Sequence, residues 1–339
     1  MPVRDAIRFL LLALTVGIAA APARADDSAV VFIYHRFGED AYPSTSVKIE
    51  QFRAQVEELK SGGYKVLPLA EIAERIRSRQ SVPDRTVGLS IDDAYRSAYE
   101  VAFPLLKQAG FPFTVFVATD SIGNKDMMSW DQLREIKAAG NMIGGHSASH
   151  PHMPALSSER NRAELERSNR VYQAELGEVP KIFAWPYGEY SLALKPLLQE
   201  FGYTVAFGQH SGVIGPTSDF NFLPRFAINE NYGELARFKL AARSLALPVL
   251  DVTPADPLLT SKTNPPAFGF TVGDSIGSLD SLRCYADGQR VDLQKLGERR
   301  VELRVERPYP PGRARINCTL PADGGRWRWF GTQFYVIKN

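Results

Sequence analysis

Short runs of β-branched and aromatic residues alternate with longer stretches whose apolar positions fall at helical spacing, from Val30 to Leu245 with little interruption. Val30 to His35 is the first strand-like run. Ile49, Phe52, Val56 and Leu59 follow three and four apart and stop at Gly62-Gly63. The pairing then repeats: Tyr64–Leu69 with Leu69–Arg79, Thr86–Asp93 with Tyr95–Gln108, and Phe113–Val117 with Trp130–Ala139. Met142–His146 precedes a charged helical stretch from Ser158 to Leu176, and Lys181–Trp185 precedes Leu192–Phe201. Tyr203–Phe207 and Phe222–Ile228 complete the strands, the latter before Glu234–Leu245. Seven or eight βα units over about 220 residues predict an α/β fold, a (β/α)7-8 barrel, closed or incomplete, in preference to an open doubly wound sheet.

The pattern changes beyond residue 247. Pro248, Pro254, Pro257, Pro265 and Pro266 mark residues 248–266 as a Pro-rich linker. From Ala267 the helical period is gone, and alternating segments such as Val301–Val305 and Gln333–Ile337 predict a small all-β sandwich over 267–339. Trp327 and Trp329 stand two apart, on one face of a strand, as core residues or as a stacking surface for sugar rings.

The opening residues change the picture of where the chain works. A basic start, the apolar run Phe9 to Ala21 and the small-x-small site Ala23-Arg24-Ala25 predict a secretory signal peptide over residues 1–25, leaving 26–247 as the barrel. That run falls short of the roughly 20 apolar residues a membrane span needs, so none is expected after cleavage. The expected location is periplasmic or extracellular. There the only two cysteines, Cys284 and Cys318, are free to pair within the C-terminal domain. With 40 basic and 38 acidic residues the net charge is +2, which gives no bulk electrostatic case for nucleic acid or an acidic membrane. A sugar or amide substrate stays open.

Two places carry chemistry. Thr86–Ile91 is an apolar run ending on Asp92-Asp93, and carboxylates at the end of a buried strand need something to compensate their charge. His146 and His150 stand four apart after the fifth strand, where Pro151 favours a turn over a helix. Two imidazoles and one carboxylate make a three-ligand site with open positions, suited to hydrolysis, with the second carboxylate left as a base for a metal-bound water. The donor set suits a divalent metal, zinc first, with cobalt or nickel as alternatives. His152 receives no role.

Ser90-Ile91-Asp92-Asp93, His146-Ser147-Ala148-Ser149-His150 and Ala184-Trp185-Pro186-Tyr187-Gly188 resemble, in order, the first three motifs of the polysaccharide deacetylases, carbohydrate esterase family 4 with the NodB-homology fold. The resemblance covers residues 28 to 247. Tyr34-His35-Arg36 and the appended domain are most similar to the exported poly-N-acetylglucosamine deacetylase branch. It implies Asp92 as general base, Asp93, His146 and His150 as metal ligands, and the Tyr187 N–H as an oxyanion donor aimed by Pro186.

Two departures stand out. The family's third motif opens with an Arg that orients the base, and Ala184 occupies that place. Arg225, in Leu223-Pro224-Arg225-Phe226, is the expected substitute. The family's late Leu-x-His motif, source of the acid for the leaving amine, is absent before residue 248, leaving His210 first and His35 second as candidates. The resulting expectation is metal-dependent N-deacetylation of an exported or cell-wall N-acetylated polysaccharide. An O-acetyl esterase or small-molecule amidohydrolase on the same site, and a non-catalytic carbohydrate-binding protein, are the alternatives.

Overall fold

A parallel sheet organises the first two thirds of the chain in the computed structural model, which describes residues 27–338; the expected signal peptide over 1–25 lies outside the described residues. Its strands are β1 (Ala29–Tyr34), β2 (Lys65–Val66), β3 (Thr86–Asp92), β4 (Thr114–Val117), β5 (Met142–Gly145), β6 (Ile182–Ala184), β7 (Val205–Phe207) and β8 (Phe226–Ala227). They run in the order β8-β1-β3-β4-β5-β6-β7, with β2 paired to the first residues of β3. Every residue of β1 and β3 is buried, as parallel strands covered on both faces require.

The helices α1 (Ile49–Ser61), α2 (Leu69–Arg77), α3 (Phe103–Ala109), α4 (Trp130–Ala138), α5 (Ser158–Leu176), α6 (Leu194–Glu200) and α7 (Leu235–Ala242) connect these strands. Their boundaries follow local chemistry. Ser129 and Gln132 form a capping box at the start of α4, and Gly177 ends α5 in the left-handed region at φ 76°. The sheet curls into an incomplete barrel whose seam is crossed by one segment. Leu223 hydrogen-bonds along β7 through the Ala206 and Gly208 backbone, and three residues later Phe226 pairs with Phe32 of β1.

The stretch expected as a linker, 248–266, is instead built into the C-terminal sheets. Leu245–Ala246 (β9), just ahead of the stretch, and within it Val249–Thr253 (β10) and Leu258–Leu259 (β11) all take part in strand pairing. The prolines fall between or at the ends of these short strands, where a missing N–H is harmless, so proline density marked breaks in strands rather than an unpaired chain. The remaining strands are β12 (Phe268–Val272), β13 (Arg283–Ala286), β14 (Gln289–Val291), β15 (Leu293–Leu296), β16 (Arg300–Leu303), β17 (Gly312–Ala322) and β18 (Arg326–Val336).

One sheet runs β9-β18-β17-β13-β14 with β11 also on β18, the other β10-β12-β16-β15. Between them lies a core that includes Phe268, Phe270, Val301, Ile316 and Phe334. Cys284 and Cys318 face each other across β13 and β17 and form a disulfide.

The two parts touch intimately. Ala246 N–H donates to Ser28 Oγ at 3.0 Å, Arg326 pairs with Asp84 at 2.8 Å, and Trp329 packs edge-on against Phe226 of β8. Gly331 of β18 sits so close to the Ser211 carbonyl that a Cβ there would lie 1.9 Å from it, so only glycine admits this approach. Among the described residues no helix is long and apolar enough to cross a membrane.

Candidate active site

Asp92, the last residue of β3, is fully buried, and both of its oxygens accept from one guanidinium: Arg225 Nη1 to Oδ1 at 2.7 Å and Nη2 to Oδ2 at 2.8 Å. Arg225 is equally buried, just ahead of β8. Its Nη1 also donates to Ser90 Oγ at 3.1 Å, its Nε donates to the Gly208 carbonyl at 2.8 Å, and its plane lies over Phe116 and Phe207. Burial alone would raise the Asp92 pKa, but the charge of Arg225 and its hydrogen bonds outweigh it and hold the carboxyl below its usual range. The base candidate is therefore ionised and fixed in orientation by a bidentate pair.

Asp93 turns away from the strand and meets both imidazoles. Its Oδ1 lies 3.5 Å from His146 Nε2 and 3.5 Å from His150 Nε2, and the three ligand atoms lie within 4.8 Å of one another. His146 Nδ1 is 2.7 Å from the Ala184 carbonyl, so the ring carries its proton there and presents the Nε2 lone pair to Asp93. That Nε2 is buried and has no hydrogen-bond partner among the described residues. Burial holds His150 at about 4, so its imidazole is neutral at neutral pH. An orphaned buried acceptor, a second neutral imidazole and an ionised carboxylate converging on one point fit a divalent cation. Asp92 Oδ2 stands 3.9 Å from His146 Nε2, immediately behind this point.

The backbone is held in costly conformations here. Asp93, Ala94, Ser147, His150 and Tyr187 all have positive φ without being glycine, and such strain persists only where surroundings enforce it. For the histidine turn the enforcing groups come from α5 and from the turn itself. Glu164 accepts from the Ala148 N–H at 3.2 Å, the Ser149 N–H at 2.8 Å and the Ser149 hydroxyl at 3.0 Å. Tyr172 Oη accepts from the His146 N–H, and Ser147 Oγ from the His150 N–H. Neither Glu164 nor Tyr172 was identified from sequence; both lie inside a long charged helical pattern that offers no local signal.

Tyr187 occupies a 3-10 turn after β6 at φ 58°, ψ 7°. The C-terminal sheet reaches it: Gln333 Nε2 donates to the Tyr187 carbonyl at 3.0 Å and to the Gly188 carbonyl at 2.8 Å. Gln333 is 1% exposed, and its Oε1 accepts from Arg315 Nε at 3.0 Å. On the other side, His152, which received no role, stacks on the Tyr187 ring at 4.2 Å while its Nδ1 lies 2.7 Å from Glu189 Oε2.

The remaining candidates separate. His35, after β1, lines a cleft of about 1000 Å³ together with Asp93, His150 and Tyr187. Burial lowers its pKa, and the charges of Asp93 and Asp92 recover only part of that fall. His210 does not join them, contrary to its ranking from sequence. It is 3% exposed, packs on Phe222 and lines a neighbouring cavity of about 160 Å³ between the barrel and the C-terminal sheets. Burial, with the charges of Arg315 and Arg225, pushes it down to about 3, and its place in that neighbouring cavity keeps it off the cleft wall. A glycine-flanked histidine after a strand gave no hint that its side chain turns inward.

Residues 79–206 match the family model for polysaccharide deacetylase. The chain is 24% identical over 182 residues to YxkH of Bacillus subtilis (strain 168), covering 54% of this chain and 64% of that protein, just under two thirds of its length. It is 26% identical over 217 residues to the poly-beta-1,6-N-acetyl-D-glucosamine N-deacetylase of Staphylococcus aureus (strain MRSA252), covering 59% of this chain and 73% of that one. In fold it is similar to the Streptococcus pyogenes deacetylase PplD solved with acetate, at TM-score 0.60 and 20% identity over 64% of this chain and 99% of that one. IcaB from Ammonifex degensii superposes at TM-score 0.56 with 23% identity, over 64% of this chain and 98% of that one.

Proposed function

We propose that this chain, whose barrel is a polysaccharide deacetylase domain of the NodB-like carbohydrate esterase family 4, removes N-acetyl groups from an exported or cell-wall polysaccharide. The observation that carries the reading is the convergence of Asp93, His146 and His150 within 4.8 Å beside an Arg225-clamped Asp92. Asp93, His146 and His150 would hold a divalent cation, zinc first among candidates, which when bound polarises the acetyl carbonyl and acidifies water.

The protein's own groups carry the proton and charge traffic. Asp92 takes the proton from the attacking water, its geometry set by Arg225 and its ionised form secured by the same charge. Water oxygen bonds to the acetyl carbon, and the Tyr187 N–H donates to the oxygen that gains negative charge. His35, on the cleft wall, delivers a proton to the departing nitrogen as the C–N bond breaks, giving acetate and a free amine. The presence of an imidazole at that wall favours the amide over the ester reading, because an amine leaves poorly without a proton. Export is proposed from residues 1–25 and is supported by the Cys284–Cys318 disulfide, which suits an oxidising compartment.

Acetate release from N-acetylglucosamine oligomers, with O-acetylated xylan as comparator, tests the reading. Chelation should abolish release and added zinc, cobalt or nickel should restore it, while Asp92→Asn should lose about 10²–10⁴-fold in kcat. Release that survives both chelation and Asp92→Asn would overturn the proposal, and faster release from the xylan would move it to the esterase.

A further inference from the structure

The cleft has a second wall, supplied by the C-terminal sheet. β17 alternates strictly: Ala314, Ile316, Cys318 and Leu320 are buried in the sandwich, which turns Arg313, Arg315 and Asn317 to the opposite face. All three line the cleft, as do Trp329 of β18 and, from the barrel side, Tyr232 and Arg237. Three guanidiniums therefore face one cavity. Among the described residues none of the three forms an ion pair with a carboxylate.

The acidic side chains on that lining are Asp93 and Asp287. Asp93 belongs to the candidate metal centre, and Asp287 Oδ1 accepts from the Arg315 backbone N–H at 2.7 Å. Arg237 is held by the Tyr232 carbonyl at 3.1 Å and lies over the Tyr232 ring. Arg313 reaches to 3.4 Å from the Tyr187 carbonyl, so the charged wall begins beside the reacting centre. Burial and the neighbouring charge of Arg313 disfavour the Arg315 guanidinium as a cation more than Asp287 favours it.

A chain of net charge +2 turns three guanidiniums that lack an ion-pair partner among the described residues into the cleft beside the candidate centre. Guanidinium forks match carboxylate and phosphate oxygens, and Trp329 and half-exposed Tyr232 offer faces for sugar rings. We propose that the cleft takes an acidic N-acetylated polysaccharide, whose carboxylate or phosphate groups dock on Arg237, Arg313 and Arg315. The acetyl-removal step rests on the deacetylase reading above; the preference for an anionic chain does not. The same wall repels the ammonium group produced, which favours release of product over a polycationic chain remaining bound.

The test compares matched glycans on the full metal-loaded chain. Heparosan oligosaccharides, alternating glucuronate and N-acetylglucosamine, are set against the same oligosaccharides with their carboxyl groups reduced to alcohols. A phosphodiester-linked N-acetylglucosamine polymer forms a third arm. Calorimetric Kd at about 25 mM salt should favour the carboxylated oligosaccharide by about tenfold or more over its neutral twin. The gap should shrink several-fold at about 250 mM salt, as screening shortens the Debye length.

A stronger gap with the phosphodiester polymer than with heparosan would assign the wall to phosphate, and the reverse to carboxylate. Arg313→Gln with Arg237→Gln should narrow the gap to within about threefold, as each exposed contact is modest. Equal binding of charged and neutral glycans by the wild type, or a gap untouched by the double variant, overturns the proposal. Acetate assayed in the same samples separates the two readings. A charge gap without acetate from any glycan defeats the deacetylase and not the acidic cleft, and acetate without a gap does the opposite.

Discussion

Gln333 should matter to catalysis although it lies in the C-terminal sheet, 146 residues from the turn it touches. Tyr187 sits at φ 58°, a conformation that costs a non-glycine residue of order 1 kcal/mol or more. Opposing that cost are the two bonds from Gln333 Nε2, at 3.0 and 2.8 Å, worth together about 2 kcal/mol by the usual net value of a hydrogen bond. The balance favours the catalytic turn by about 1 kcal/mol, a ratio near 5 to 1. Removing both bonds reverses it to roughly 1 to 5, so kcat should fall about fivefold with KM little changed, against a ceiling of about 10²–10³ for losing an oxyanion donor outright. Gln333→Glu is the discriminating variant. It keeps the size and the Arg315 contact, but sets a carboxylate against two carbonyls, so its kcat should fall further than that of Gln333→Ala. The assay is steady-state acetate release on variants whose Tm is measured alongside. A Gln333→Glu protein with wild-type kcat would refute the brace. Proportional losses of Tm and of active fraction with unchanged kcat per folded molecule would also refute it.

Two further predictions concern the buried charges. Arg225→Met leaves the fully buried Asp92 carboxylate unpaired and should cost about 3–5 kcal/mol of stability, whereas adding Asp92→Asn should recover much of it in a protein that remains inactive. An Arg225→Met protein as stable as wild type in urea titration would show that the pair is not what fixes Asp92. His35→Ala should lower kcat on an N-acetyl substrate by about 10²–10⁴ and affect an O-acetyl substrate far less, since an alkoxide leaves more readily. His210→Gln should leave both rates within a few-fold; the opposite assignment of losses between the two histidines would return the acid role to His210.

All eight parallel strands were legible because each is a run bounded by a change of period, and their ends announced the site because Asp92-Asp93 and His146 terminate such runs. The two-residue alternation of Val301–Val305 and Gln333–Ile337, which located the sandwich, overlaps β16 and β18. What escaped was of two kinds. His210 follows a strand as plainly as His146 does, yet one imidazole turns toward Asp93 and His150 and the other into a separate cavity under the C-terminal sheets; that difference is a side-chain direction, which periodicity does not encode. Gln333, Glu164 and Tyr172 act on the site through contacts with backbone groups far away in the chain, and a polar residue inside a regular strand or helix carries no mark of such a partner.

Ala184, where the resemblance leads one to expect an arginine, lies close to the groups that hold Arg225. The carbonyl of Ala184 fixes the His146 ring, while its methyl group lies in the apolar cluster that contains Phe116 and Phe207. Those two aromatics are the faces on which the Arg225 guanidinium rests. A second guanidinium projecting from residue 184 would bring two cations to one carboxylate in a water-free interior, where like charges repel strongly. A small side chain on β6 and an arginine ahead of β8 are therefore two halves of one solution. Here the fork comes from the residue just ahead of β8, and Asp92 receives two parallel hydrogen bonds from it. The chemistry constrains what must surround the carboxylate more tightly than it constrains which strand supplies it.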